Sequence, residues 1–334
     1  MNRSPLQALC AEVGLELPRL QQARDDTLRR LAVRAELLEA AGLPPDIAVV
    51  FVGSWGRHEV TTGSDNDFYV LTGASGDASA AIVERVKALL RDEDAAFREP
   101  GREGVFGEDV VSLQSLIENI GLDRDTNTNL TQRMLLVLES AAAFNADLHV
   151  RARGEVLSTY LEPPIKACQP PRLFLNDVVR YWRTMCVDFA GKMRDRRNQG
   201  WGLRNAKLRT TRKMLFASGL LPLMRCGQLG SDEIPTFLAH QFAMPPTDRV
   251  ADAFLACGRQ REGARVFSGY EGFLDHIRSE ETRDALNDIK GRAEADRSEL
   301  FQSIVPLGNE IEAGLLHLLF DSELSDTTRR YGIF

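Results

Sequence analysis

The stretch Val52-Gly-Ser-Trp-Gly-Arg-His-Glu-Val-Thr-Thr-Gly-Ser-Asp-Asn-Asp-Phe-Tyr-Val-Leu71 decides the reading of this chain. An apolar run, 47–52, leads into a glycine-serine turn, and a second, 68–71, follows two aspartates spaced i and i+2. Both runs are short, β-branched or aromatic, and bounded by turn residues, the pattern of buried strands. Successive side chains on a strand alternate between faces, so Asp65 and Asp67 project to one side and Asn66 to the other. Two ionised carboxylates held together repel, and a cation between them removes the repulsion. Hard oxygen ligands suit Mg²⁺, which takes one or two carboxylates and completes its shell with substrate phosphates. Gly53 lets backbone approach a ligand closely. A helix starting near Ser54 or Trp55 would turn its free N–H groups toward an anion, and the Ser54 hydroxyl adds a donor.

Taken together, Gly53-Ser54, Gly56-Arg57, Glu59 and Ser64-Asp65-x-Asp67 resemble the signature of the DNA polymerase β-like nucleotidyltransferase superfamily, in the branch of the PII uridylyltransferase and the glutamine synthetase adenylyltransferase. The strict match covers residues 52–71. The resemblance implies a small mixed β-sheet nucleotidyltransferase domain packed against a larger α-helical domain, an α+β fold. It implies transfer of a nucleoside monophosphate from a nucleoside triphosphate such as ATP to an acceptor hydroxyl, with pyrophosphate released. Two Mg²⁺ ions, or Mn²⁺ in their place, would be held by Asp65, Asp67 and a third carboxylate, while Gly53, Ser54, Arg57 and Ser64 would face the nucleotide.

The segment 104–113 is the best later strand for the third carboxylate, and Asp109 is the expected ligand. Alternation does not separate Asp109 from Glu108, and Asp123 and Asp125 are also available. Arg57 either contacts phosphate or is held by Glu59. An EF-hand is excluded, because Tyr69 and Val70 occupy the positions its third oxygen ligand and glycine require. None of His58, His149, His240, His276 or His317 stands at metal-ligand spacing from a Cys or another His, which argues against zinc.

At 334 residues, with 43% hydrophobic and 27% charged residues, the chain has the composition of a globular protein of about two domains. The expected segments are an N-terminal helical segment, 1–44, a nucleotidyltransferase domain, 45–150, and a helical domain, 151–334. Gly42-Leu-Pro-Pro45 ends the first, 78–90 reads as an amphipathic helix, and everything from about 126 onward reads as helices. Prolines between 163 and 171 mark a boundary. Five scattered cysteines suit reduced thiols in a cytoplasm. Neither a signal peptide nor a membrane span is expected, so the reading is a cytoplasmic protein with no membrane partner.

A basic segment stands out against the net charge of −7: between Arg180 and Lys213 eleven Arg and Lys face only Asp188 and Asp195. On a helix from Trp201, the residues Leu203, Ala206, Thr210, Met214 and Ala217 form a buried stripe, with Arg204, Lys207 and Thr211 on the adjoining ridge. By the resemblance, Arg204 and Lys207 would reach the triphosphate. Among acceptors a protein side chain ranks first and an RNA 3′ end second, since the overall acidity gives no general reason to expect nucleic acid. The competing classes are a nucleotide-sensing regulatory module and a toxin or defence nucleotidyltransferase.

Overall fold

The computed structural model describes residues 3–61, 63–73, 80–94, 97, 110–162, 164–195 and 198–332. In chain order the first elements are α1 (Pro5–Val13), α2 (Pro18–Ala40), β1 (Ile47–Val52), β2 (Phe68–Thr72), α3 (Ala80–Glu93), β3 (Val110–Ser112), α4 (Leu113–Glu118), α5 (Asn127–Leu138), β4 (Ser140–Phe144) and α6 (Ala146–Leu161). Then come α7 (Arg172–Asp195), α8 (Trp201–Arg209), α9 (Thr211–Arg225) and further helices to Tyr331. The fold is α+β, a small mixed sheet with many helices. Among the described residues no helix is long and apolar enough to cross a membrane, and all five cysteines are free.

The chain divides into two compact units, 22–164 and 1–21 with 165–334. The bounds differ from the three expected segments: the first falls inside α2, and α6 belongs with the sheet it packs on. The second, after Pro164, lies in the proline-rich stretch.

In the 22–164 unit the strand order is β3-β2-β1-β4. β1 runs antiparallel to β2, with Val49 opposite Val70, and antiparallel to β4, with Val50 opposite Ala142. β3 runs parallel to β2, with Val70 opposite Val110. Every residue of β1 and β2 is buried, so both faces of the sheet are covered. One core gathers Ile47, Val49, Phe51, Phe68 and Val70 with Leu31 and Leu38 of α2 and Val83, Val86 and Leu90 of α3. α5 and α6 pack on β1 and β4.

β4 is a departure from the sequence reading, which made this region helical throughout. Ser140-Ala-Ala-Ala-Phe144 contains no β-branched residue, and alanine is a good helix former. The strand exists because β1 offers it an edge to pair with, so tertiary pairing outweighs local propensity.

The other unit is helical among its described residues. The expected stripe is buried at every position: Leu203, Ala206, Thr210, Met214 and Ala217. The helix carrying it is not continuous. Thr210 adopts φ −123° and ψ −90°, ending α8 and starting α9. The Thr210 and Thr211 hydroxyls donate to the carbonyls of Ala206 and Lys207, a bond type that bends helices. The break changes the phase, so Thr211 is buried rather than on the ridge with Arg204 and Lys207.

Candidate functional site

β1 delivers the chain into a compact turn. The Val52 N–H donates to the Asp67 carbonyl at 2.9 Å, extending the β1–β2 ladder to the second aspartate. Gly53 then adopts φ +66°, a left-handed conformation open to glycine at little cost. A Cβ there would stand 3.4 Å from Asp67 Oδ2, in ordinary contact, so it is the left-handed backbone that calls for glycine beside that carboxylate.

No helix starts at Ser54 or Trp55, where the chain forms a turn. The turn's hydrogen bonds run from Arg57 N–H to Gly53 O (3.0 Å), His58 N–H to Trp55 O (3.1 Å) and Glu59 N–H to Ser54 O (2.8 Å). Spans of four, three and five residues do not propagate a helix, and His58, at φ +59°, turns the chain away. The N–H groups of Ser54, Trp55 and Gly56 precede the first donor of the turn, so the turn itself offers them no carbonyl. A single turn carries less dipole than the helix expected, and local amides rather than a macrodipole are what an anion would meet.

The aspartates lie just before β2, where Asp65 is exposed, Asn66 buried and Asp67 half-buried. Their loop is pinned from below. The Trp55 indole N–H donates to the Asp65 carbonyl at 3.2 Å, and its ring packs 4.9 Å from that of Phe51. Arg34 of α2, only 1% exposed, lays its guanidinium 3.9 Å from the Trp55 ring centroid. Glu93 and Asp94 neutralise it at 3.4 and 3.6 Å. Burial pulls its pKa down to about 10, with those carboxylates acting against the shift. Arg34 escaped the sequence reading. The available signal was its place between Leu31 and Leu38 on the apolar stripe of α2, a position that buries whatever occupies it.

Arg57 lies between two buried carboxylates. Its Nε donates to Glu59 at 2.9 Å, and it is also ion-paired with Glu139, at the junction of α5 and β4. Gly56 rests directly on that junction: a Cβ would fall inside the van der Waals radius of the Glu139 carbonyl. The next residue, Ser140, donates its hydroxyl to Leu136 O (2.6 Å) and is hydrogen-bonded to His149 Nε2 (2.7 Å). His149 is buried; desolvation first, and Arg153 second, lower its pKa to about 4, so the ring is neutral near pH 7. Neither Glu139 nor His149 was expected to bear on the site. Ser64 accepts a hydrogen bond from Thr61 N–H at 3.0 Å and shapes the loop before the aspartates.

Asp109 and Glu108 lie outside the described residues. Asp125 is no metal ligand: Arg133 donates to both of its oxygens, at 3.1 and 2.9 Å, in a buried pair. Asp123 is exposed. Among the described residues no three His, Cys, Asp or Glu side chains form a metal group. Two carboxylates, one exposed and one half-buried, match the donor set Mg²⁺ uses when phosphates and water complete its shell. Arg204 and Lys207 lie half-buried on α8, in the other unit.

A glycine-serine turn lies beside an Asp-x-Asp pair at the end of a small mixed sheet. No family model matches the chain. Over 211 residues the chain is 27% identical to the bifunctional uridylyltransferase/uridylyl-removing enzyme of Cupriavidus metallidurans. That span is 62% of this chain and 24% of the relative, so the chain corresponds to about a quarter of that protein's length. The similarity is to a nucleotidyltransferase-related protein.

Proposed function

We propose that this chain is a metal-dependent nucleotidyltransferase that moves a nucleoside monophosphate from a nucleoside triphosphate to an acceptor hydroxyl. The observation carrying this reading is the placement of Gly53 against Asp67 Oδ2, which sets turn amides beside a pair of exposed and half-exposed carboxylates. The similarity to a uridylyltransferase supports it.

In this reading Asp65 and Asp67 hold Mg²⁺, with Asp109 as the third carboxylate. Bound there, the metal would draw negative charge from the reacting phosphates. The Ser54 hydroxyl and the backbone near Gly53 bind the terminal phosphates. The acceptor oxygen bonds to the α-phosphorus as the bond to the bridging oxygen breaks. Pyrophosphate leaves with that electron pair, and a carboxylate or water takes the acceptor's proton. A protein side chain is the first acceptor to test and an RNA 3′ end the second.

The experiment incubates the protein with Mg²⁺, each α-labelled nucleoside triphosphate in turn, and extract fractionated into protein and RNA. Label on one fraction, matched by pyrophosphate, supports the reading. Absence of label and of pyrophosphate with all four nucleotides counts against it.

A further inference from the structure

We propose that Glu139 is a positioning residue for this site, acting through Arg57 to hold the Gly53–His58 turn at its distance from Asp67. The proposal rests on the nucleotidyltransferase reading and adds a role for a residue 82 positions away from Arg57.

A turn whose hydrogen bonds span three, four and five residues has no helical continuation to stiffen it. Its position must be fixed from outside, and the junction of α5 and β4 does this in two ways. The bare Cα of Gly56 sits against the Glu139–Ser140 peptide, so close that no side chain fits between them. Arg57, next in sequence, reaches the Glu139 carboxylate, and Glu59 grips the same guanidinium at 2.9 Å. The junction is itself anchored. The Glu139 N–H donates to Leu135 O at 3.1 Å, Ser140 is held by Leu136 and His149, and β4 pairs with β1.

The charges decide what Arg57 does. Both carboxylates are 4% exposed, and together they outweigh the single guanidinium. A cation already shared by two buried carboxylates has little attraction left for a phosphate. Removing Arg57 strands two buried carboxylates, and removing Glu139 leaves the guanidinium to Glu59 and cuts the turn's tie to the α5–β4 junction, so the Arg57–Glu139 pair works as a latch on the turn rather than as a substrate contact. Displacing the turn by about an ångström would move the amides that meet the nucleotide, while the aspartate loop keeps the Val52–Asp67 and Thr61–Ser64 hydrogen bonds that lie outside the turn.

The test compares wild type with Glu139→Gln, Arg57→Gln and the double variant, with Glu139→Asp as a milder change should Glu139→Gln fold poorly. Nucleotide affinity is read by displacement of a fluorescent nucleoside triphosphate. Metal affinity is read by Tb³⁺ luminescence sensitised by Trp55, whose indole N–H already touches the Asp65 carbonyl. Amide hydrogen exchange is followed over residues 53–58. Each single change is expected to weaken nucleotide binding about tenfold and speed exchange in the turn, leaving Tb³⁺ affinity within about twofold. The double variant should be no worse than the poorer single one, because the two changes break the same latch. Loss of nucleotide affinity in Arg57→Gln but not in Glu139→Gln would make Arg57 a direct phosphate ligand and overturn the proposal. So would unchanged exchange over 53–58 in Glu139→Gln. If wild type binds no nucleotide, the functional reading fails, and the exchange result still judges the latch by itself.

Discussion

Gly53 and Asp67 meet with nothing between them: the Gly53 backbone is left-handed, and the Cβ it lacks would stand 3.4 Å from Asp67 Oδ2. The contact joins the end of β1 to the start of β2, and a small change in either residue acts on both strands. Gly53→Ala forces a side chain into φ +66°, at a cost of about 1–2 kcal/mol in stability. It also places a methyl in contact with the carboxylate, 3.4 Å from Oδ2. Urea denaturation should register that loss, and nucleotide affinity should fall further than stability alone would account for.

Gly56 is constrained by space rather than by dihedral angle. An alanine there meets the Glu139 carbonyl, which belongs to the backbone and cannot rotate away. Either the turn or the α5–β4 junction must shift, and Gly56→Ala should cost about 2–3 kcal/mol. The denaturation midpoint checks this; a Gly56→Ala protein as stable as wild type would mean the junction yields freely.

Arg34 is the plate under Trp55. Arg34→Met keeps the bulk but takes the guanidinium away from Glu93, Asp94 and the indole face. The expected loss is about 2–3 kcal/mol, below the range for fully buried pairs because both acids are partly exposed. Arg34→Lys should restore little of it, since an ammonium has neither the planar stacking surface nor the forked donors. Changed Trp55 fluorescence in both variants would accompany the loss.

His149 makes stability depend on pH. Its folded pKa, about 4, lies below the ordinary 6.5, so the unfolded chain binds the extra proton between these values. Stability from this group is therefore full above about pH 6.5 and is lost as pH falls toward about 4, by at most about 3 kcal/mol. His149→Gln retains a hydrogen-bonding group for Ser140 and removes the titration. The drop in stability from pH 7 to pH 5 should shrink in that variant; an unchanged drop would assign the effect to other groups.

The parts of the fold legible in the sequence are those with local causes. β1 and β2 are β-branched and aromatic runs set off by glycine and aspartate, and α3 carries its apolar stripe openly. What escaped depends on distant partners. β4 is alanine-rich and becomes a strand only beside β1. Glu139 reaches Arg57 across 82 residues of chain, so no local spacing points to it. Asp125 looked available as a ligand until Arg133 was seen to occupy both its oxygens. The break at Thr210 is invisible to helical periodicity because Thr210 itself lies on the buried stripe.

The central claim is that Asp65 and Asp67 hold the metal for nucleotidyl transfer. The most direct measurement is Mg²⁺-dependent pyrophosphate release with α-label transfer, comparing wild type with the Asp65→Ala/Asp67→Ala variant at matched thermal stability. The account predicts that wild type releases pyrophosphate in step with label on an acceptor, and that the double variant loses at least about a hundredfold in rate. A double variant that transfers label at the wild-type rate would contradict it.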